Sequence, residues 1–261
     1  MRVALVGIDG TGKTTVLRRI RERNGVAVVH AIRNHDDPQS PFADLSRALA
    51  DASAAADALG RVQLKVAVLY LQLSLYGPAE RQAMDSSPIL LTDRHPLIDP
   101  LVYLPLFGRV ERDDEPGGDV EAWWGKQDPR AARWVHDWLY QCSGGTDPWS
   151  LGTELLRLGT RTRQEMHDEL SRRLCITMPE AVLLLDLPVA EALRRTRERM
   201  RASELHETAA FLSATRQRYD AALDWLREAR PDVALRRIAC SHRSVDEVAE
   251  QVCGAFEILD A

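Results

Sequence analysis

The chain has 261 residues, 45% of them hydrophobic and 28% charged, which suffices to bury one substantial core in a single α/β domain. A net charge of −5 gives no broad electrostatic footprint for nucleic acid, and no dense lysine/arginine run lies beside an apolar segment long enough to anchor in a membrane. A small-molecule partner is therefore expected. Cys142, Cys175, Cys240 and Cys253 show no paired metal-ligand spacing and read as reduced, partly buried residues of a cytoplasmic protein.

The first strand, Arg2–Val6, runs into Gly7-Ile8-Asp9-Gly10-Thr11-Gly12-Lys13-Thr14 and then a helix over Lys13–Arg23, with Val16, Leu17 and Ile20 on one face and Asn24-Gly25 as its stop. The apolar stretch Val3–Gly7 is too short for a secretory core, so no leader is expected. A second strand spans Val26–Ile32. Ser40-Pro41 reads as a cap and first-turn proline, followed by a stripe of Phe42, Leu45 and Leu49 and an alanine-rich continuation to Leu59. Arg61–Met84 is apolar nearly all round, as in a buried helix, and Pro88–Asp93 is a continuous apolar run ending in a carboxylate, as in a buried parallel strand.

Residues 108–179 are irregular. They open on a charged, glycine-rich stretch, Val110–Asp119, expected as an exposed loop, and carry Trp123, Trp124, Trp134, Trp138 and Trp149. Trp134 and Trp138 share a helical face, which suits packing on the core or on a second subunit, with an aromatic substrate platform as the alternative. Leu183–Asp186 is a fourth strand, Val189–Arg201 an arginine-rich helix and Val233–Ala239 a fifth strand. A last helix opens on the capping box Ser244/Glu247, with Val245, Val248, Val252, Phe256 and Leu259 as its apolar ladder. Alternating strands and helices predict a five-stranded parallel sheet with helices on both faces.

Two clusters carry chemistry. The glycine-rich loop between strand and helix is a phosphate-binding loop: Gly7, Gly10, Thr11 and Gly12 curl the backbone so that N–H groups face a β-phosphate, Lys13 reaches the β- and γ-phosphates, and Thr14 can ligate Mg²⁺. It implies a nucleoside-triphosphate user. At the end of the third strand, Asp93 can hold the Mg²⁺ water shell, and Arg94 can bind an acceptor phosphate or stabilise charge on a transferring phosphoryl group. The absence of an Asn-Lys-x-Asp motif argues against a GTPase switch.

Gly7–Thr15 resembles the phosphate loop of thymidylate kinases, with Asp9 at that family's acidic position facing the acceptor sugar and Thr15 completing the nucleotide-binding set. Asp93-Arg94-His95 resembles the family's Asp-Arg-Tyr/His motif, and with Pro96 it resembles the Asp-Arg-His-Pro of viral thymidine kinases. Glu207, Phe211-Leu212, Arg216 and Tyr219 resemble the pattern that follows the thymidylate kinase lid. The likeness covers Met1 to about Phe107 and Pro179 to Ala261. Strand two departs from the family's Arg-Glu-Pro-Gly-Gly, so only Arg33 carries over there, while Tyr70-Leu71-Gln72-Leu73-Ser74 resembles deoxynucleoside kinases.

The resemblance implies an ATP-dependent, Mg²⁺-requiring nucleotide kinase over 1–261, with 108–179 as an insertion, 188–207 as a lid, and a homodimeric assembly. Lys13 and the lid arginines Arg195, Arg199 and Arg201 would serve the transferring group. Thr14 and Asp93 would serve the metal, and Asp9, Arg33, Asp36, Tyr70, Gln72, Arg94 and His95 the acceptor. A monophosphate acceptor leaves Asp9 on the sugar; a nucleoside hydroxyl needs a base, for which Asp9, Asp36 and Asp37 compete. His35 and His95 read equally as acceptor ligands or packing residues. A deoxynucleoside kinase, a kinase for a non-nucleoside small molecule and a regulatory binding module stand as alternatives.

Overall fold

In the computed structural model, which describes residues 1–22, 25–37, 39–109, 115–199 and 208–259, the apolar runs become β1 (Arg2–Val6), β2 (Val26–His30), β3 (Ile89–Asp93), β4 (Ala181–Asp186) and β5 (Ala234–Ala239). Among these residues they form one five-stranded, all-parallel sheet in the order β2-β3-β1-β4-β5. β1, β3 and β4 are buried along nearly their whole length, as strands covered on both faces must be. The register pairs Leu5 with Asp93, so the carboxylate leaves β3 at the level where the phosphate loop leaves β1.

The described helices are α1 (Lys13–Arg21), α2 (Ala43–Leu59), α3 (Val62–Leu73), α4 (Tyr76–Ser86), α5 (Asp99–Phe107), α6 (Asp119–Gly125), α7 (Pro129–Ser143), α8 (Pro148–Leu158), α9 (Arg163–Leu174), α10 (Val189–Arg199), α11 (Ala209–Ala229) and α12 (Val245–Leu259). Helix α1 buries Val16, Leu17 and Ile20 as expected, and the stop expected at Asn24 lies outside the described residues. No described helix is long and apolar enough to cross a membrane.

Several sequence expectations need correction. Strand two stops at His30 rather than Ile32, because the chain closes a turn there, with the Arg33 N–H donating to the His30 carbonyl at 3.2 Å. The helix expected from Ser40-Pro41 starts at Ala43; Ser40 instead builds the preceding turn, its hydroxyl accepting the Phe42 N–H at 3.3 Å. The single helix expected over Arg61–Met84 is two, α3 and α4. The Leu75 N–H reaches back three residues to the Gln72 carbonyl at 3.2 Å, and the Ser74 hydroxyl donates to the Leu71 carbonyl at 2.7 Å. The burial of α3 on every side masked this break, although α4 exposes Arg81, Gln82, Asp85 and Ser86 and carries Gly77-Pro78 in its first turn, where a proline suits a helix start. β4 starts two residues earlier than Leu183, β5 one later than Val233, and Val245, expected in the apolar ladder of α12, is exposed. The Ser244/Glu247 capping box is present in both directions.

By its internal packing the chain divides into two compact units, Met1–Val29 with Glu80–Val102 and Ile176–Ala261, and His30–Ala79 with Tyr103–Cys175. The first holds the sheet, with α1 against α12 and α10 against α11. The second is helical. Its helices α7 and α8 open on Asp128-Pro129 and Asp147-Pro148, where each aspartate accepts two backbone N–H groups and each proline takes the first helical position. These caps were legible signals in the stretch read as irregular; of its expected loop, residues 110–114 lie outside the described residues.

The tryptophans of the second unit mostly pack inward. Trp123 is fully buried and donates Nε1–H to the Ala52 carbonyl at 2.8 Å, and Trp138 donates to the Ser74 hydroxyl at 2.8 Å and the Leu71 carbonyl at 3.1 Å. Trp134 is half-buried with the Arg130 guanidinium 4.7 Å above its ring. The tightest helix contact in this unit is glycine-dependent. A Cβ on Gly152 of α8 would stand 2.6 Å from the Gln63 carbonyl carbon and 2.9 Å from its Cα, inside contact distance of the α3 backbone. Gly152→Ala is therefore expected to cost about 2–3 kcal/mol by overpacking. Gly254→Ala in α12, where an added Cβ meets nothing within 4 Å, is expected to stabilise by about 0.5–1 kcal/mol through helix propensity. Chemical denaturation of both variants checks the contrast.

Candidate active site

The phosphate loop turns out of β1 onto α1. Gly7 and Gly10 have positive φ, 146° and 88°, and neither has room for a side chain: a Cβ on Gly7 would meet the Leu185 carbonyl oxygen at 2.6 Å, and one on Gly10 would meet the Ala192 carbonyl and the Thr196 hydroxyl. These glycines seat the loop on the end of β4 and on α10. Gly12, the residue before α1, is left-handed with open space where a Cβ would be, and its carbonyl accepts the Val16 N–H at 2.9 Å.

Lys13 is buried in the loop, donating from Nζ to the Gly7 carbonyl at 2.8 Å and the Ile8 carbonyl at 3.0 Å, with Asp9 Oδ1 at 3.9 Å. Burial, followed by the charge of Arg94, pushes its pKa down, while Asp9, Asp93 and Asp99 oppose the shift. Thr11 closes the loop by donating its hydroxyl to the Ile8 carbonyl at 2.8 Å, and Thr15 is half-buried in the first turn of α1. The Thr14 hydroxyl donates to Asp93 Oδ2 at 3.3 Å, bringing the two expected metal ligands together.

Arg94 follows Asp93 with φ 68°, a left-handed conformation uncommon for a residue with a Cβ. Its guanidinium bridges two carboxylates, Nη2 to Asp9 Oδ1 at 2.7 Å and Nη1 to Asp99 Oδ1 at 3.1 Å. Asp99 also accepts the Tyr219 hydroxyl at 2.7 Å and the His95 N–H at 2.7 Å. His95 is fully buried with Nδ1 accepting the Leu97 N–H at 3.2 Å, so the ring helps shape this turn. Asp99 was not foreseen, although Asp99-Pro100 has the look of a helix start.

Among the arginines, Arg195 lies half-buried on α10, bound to Glu191 at 2.6 Å, with the Cys240 carbonyl at 3.5 Å. Arg194 pairs with Glu198 in solvent. Arg216 donates to Asp186 Oδ1, which ties α11 to the end of β4. Arg201, Glu207 and the side chain of Arg199 lie outside the described residues.

The remaining residues expected to serve an acceptor belong to the second unit. Arg33 and Asp36 form an ion pair at 3.3 Å beside the 3-10 turn Asn34–Asp36. His35 Nδ1 meets the Ser46 hydroxyl at 2.9 Å, and burial holds its pKa below the usual histidine range. Tyr70 is buried, which pushes its phenol up to about 12, so it stays a neutral hydrogen-bond donor. Gln72 is 5% exposed and its Oε1 accepts no hydrogen bond from the described residues, leaving a buried acceptor unsatisfied.

Among the described residues, no group of three or more histidine, cysteine or carboxylate side chains forms a metal centre. A divalent ion here would instead rest on the Thr14–Asp93 pair and on phosphate oxygens. Their hard oxygen donors at the mouth of the phosphate loop fit Mg²⁺, which binds through one or two protein ligands and keeps water.

The parallel sheet, its strand order and the loop after β1 together define a P-loop nucleoside-triphosphate-binding fold. No protein-family model and no curated protein matches the chain. Solved structures do. Deoxyadenosine kinase from M. mycoides with the products dCMP and a flexible dCDP bound aligns with 98% of this chain and 99% of its own, with a TM-score of 0.51 and 12% identity. The same kinase with bound dATP aligns with 98% and 100%, with a TM-score of 0.51 and 14% identity. Thymidylate kinase from Candida albicans aligns with 98% and 91%, with a TM-score of 0.52 and 12% identity. The fold is thus that of the thymidylate and deoxynucleoside kinases, as the motif resemblance implied.

Proposed function

We propose that the chain is an ATP-dependent kinase transferring the γ-phosphoryl group to a nucleoside monophosphate, in the first instance a pyrimidine, dTMP-like nucleotide. The observation that carries the kinase reading is the meeting of Lys13, Thr14, Asp93, Asp9 and Arg94 at the carboxyl ends of β1 and β3. In this reading 1–261 is one kinase domain, 108–179 its insertion and 188–207 its lid, and the chain works as a homodimer.

Lys13 leaves its loop carbonyls for the β- and γ-phosphates of ATP, and the loop N–H groups line the phosphate path. Thr14 and Asp93 would hold Mg²⁺, which supplies charge neutralisation on the phosphate oxygens. An acceptor oxygen forms the new bond to the γ-phosphorus as the bond to the bridging oxygen breaks and ADP leaves. Arg94, with Arg195, Arg199 and Arg201 of the lid, steadies the charge on the group in flight. In the second unit, Arg33, Asp36, Tyr70 and Gln72 serve the acceptor, and the unsatisfied Gln72 Oε1 suits a nucleobase donor.

A second reading, a deoxynucleoside acceptor, is favoured by the ion pairs at the two acceptor arginines. Arg33 faces Asp36 and Arg94 faces Asp9 and Asp99, so these cations are already compensated, and a neutral nucleoside asks less of them than a phosphate dianion. Asp36 or Asp37 would then accept the hydroxyl proton.

ADP release, screened over nucleosides, monophosphates and small alcohols, separates the two. The monophosphate reading expects a pyrimidine monophosphate to outrun its nucleoside and Arg33→Ala to raise its KM at least about tenfold, with KM for ATP little changed. A nucleoside that works equally well, with Arg33→Ala silent, selects the second reading. Release stimulated by none of these acceptors rejects both.

A further inference from the structure

Outside the phosphate loop and the Asp-Arg-His run, Tyr219 binds Asp99 and Asp99 binds Arg94. The backbone of this arginine is pinned on both sides: its N–H donates to the Leu5 carbonyl at 3.1 Å, and its own carbonyl accepts the Thr92 hydroxyl at 2.9 Å. Its left-handed φ is thereby maintained by β1 and β3. The guanidinium then lies between two carboxylates in very different surroundings. The Asp9 side chain is 40% exposed, whereas that of Asp99 is 6% exposed.

Asp99 is itself held from three directions. Its Oδ2 accepts the His95 N–H at 2.7 Å, its Oδ1 accepts the Tyr219 hydroxyl at 2.7 Å, and its own N–H donates to the His95 carbonyl at 3.0 Å on the first turn of α5. Tyr219 stands fully buried on α11. The two carboxylates are therefore unequal competitors for Arg94. A negatively charged phosphate oxygen can take the place of Asp9 near solvent, where water compensates the released carboxylate. Taking the place of Asp99 would strand a buried charge without its cation.

We propose that Asp99 and Tyr219 are positioning residues that hold one edge of the Arg94 guanidinium, so that only the edge facing Asp9 is exchanged for a phosphate oxygen during transfer. This rests on the phosphoryl-transfer reading above. The Tyr219 hydroxyl fixes the rotation of the Asp99 carboxylate, Asp99 fixes the plane of the guanidinium, and the fork arrives at the phosphate already aimed. Asp9 acts as the placeholder that the phosphate displaces.

The test combines kinetics with a readout that needs no acceptor. Tyr219→Phe keeps the ring and its packing, and it is expected to lower kcat roughly tenfold with KM for ATP within about twofold; Asp99→Asn is expected to lower kcat roughly a hundredfold. In an Arg94→Lys background, where no planar fork remains to be aimed, Tyr219→Phe should change kcat by less than about twofold. Nitrogen NMR of the arginine guanidinium groups should show Arg94 restricted in the wild type and rotating measurably faster in Tyr219→Phe, where Asp99 keeps the His95 N–H but loses the hydroxyl that fixes its carboxylate.

The proposal is overturned if Tyr219→Phe folds with unchanged kcat, if its loss persists in full beside Arg94→Lys, or if the wild-type Arg94 guanidinium already rotates freely. Should Asp99→Asn fail to fold, Tyr219→Phe decides alone. A restricted Arg94 loosened by Tyr219→Phe in a protein that phosphorylates none of the acceptors would keep the positioning role and reject the kinase reading.

Discussion

Lys13→Ala is expected to lower turnover about a thousandfold, equivalent to about 4 kcal/mol of transition-state stabilisation, while leaving the fold in place. The lysine is buried, yet it is held by the Gly7 and Ile8 carbonyls and the half-buried Asp9, groups of the loop itself rather than of the core. Its low-shifted pKa points the same way, because a desolvated ammonium beside Arg94 gains most when phosphate oxygens arrive. Removing it relieves that repulsion, so the melting temperature should hold or rise as activity disappears. Turnover measured beside thermal melting checks both halves. Activity within tenfold of wild type in a folded variant would remove the loop lysine from the chemistry.

Arg94→Ala is expected to strike activity and stability together. Turnover should fall about a hundredfold to a thousandfold, because the cation beside the phosphate loop is lost. Asp99 would keep the Tyr219 hydroxyl and the His95 N–H but lose its guanidinium while remaining buried, at a cost of about 2–3 kcal/mol, below the usual toll for breaking a buried pair because two donors stay. The left-handed backbone at Arg94 offers alanine no relief. Arg94→Lys should recover part of the stability and little of the turnover, since an ammonium cannot bridge two carboxylates in a plane. Equal turnover in Arg94→Lys and wild type would show that charge alone matters at this position. Denaturant titration and steady-state kinetics on the same preparations separate the two effects.

The contrast between these variants follows from how each residue became visible. Lys13 was legible because a phosphate loop is a local device: glycines, lysine and threonine sit at set spacing between a strand and a helix, and the backbone geometry follows from neighbouring residues. Even so, the reason for Gly7 and Gly10 lay elsewhere. They were read as letting the backbone curl around a phosphate, and the structure adds that a Cβ on either would meet Leu185 or Ala192, residues far away in the chain. Arg94 was legible as a residue type after a strand, but its partner Asp99 and the distant Tyr219 were not connected by any pattern of spacing.

By itself the sequence determined the local grammar of this protein. Apolar runs of strand length ended in turns, the loop after β1 was spelled out in full, and the Ser244/Glu247 capping box opened α12 where expected. Such features depend on residues within about one helical turn of each other, so short-range chemistry suffices to specify them. Only the tertiary structure decided the order β2-β3-β1-β4-β5, the break between α3 and α4, the seating of Gly152 against Gln63 and the meeting of Asp9, Arg94, Asp99 and Tyr219. The apolar surround of α3 masks where the chain breaks, and a carboxylate does not announce which arginine it will hold. Those choices are made by which surfaces come together when the core closes, through contacts between residues far apart in the chain, 120 positions for Asp99 and Tyr219 and 178 for Arg2 and Glu180.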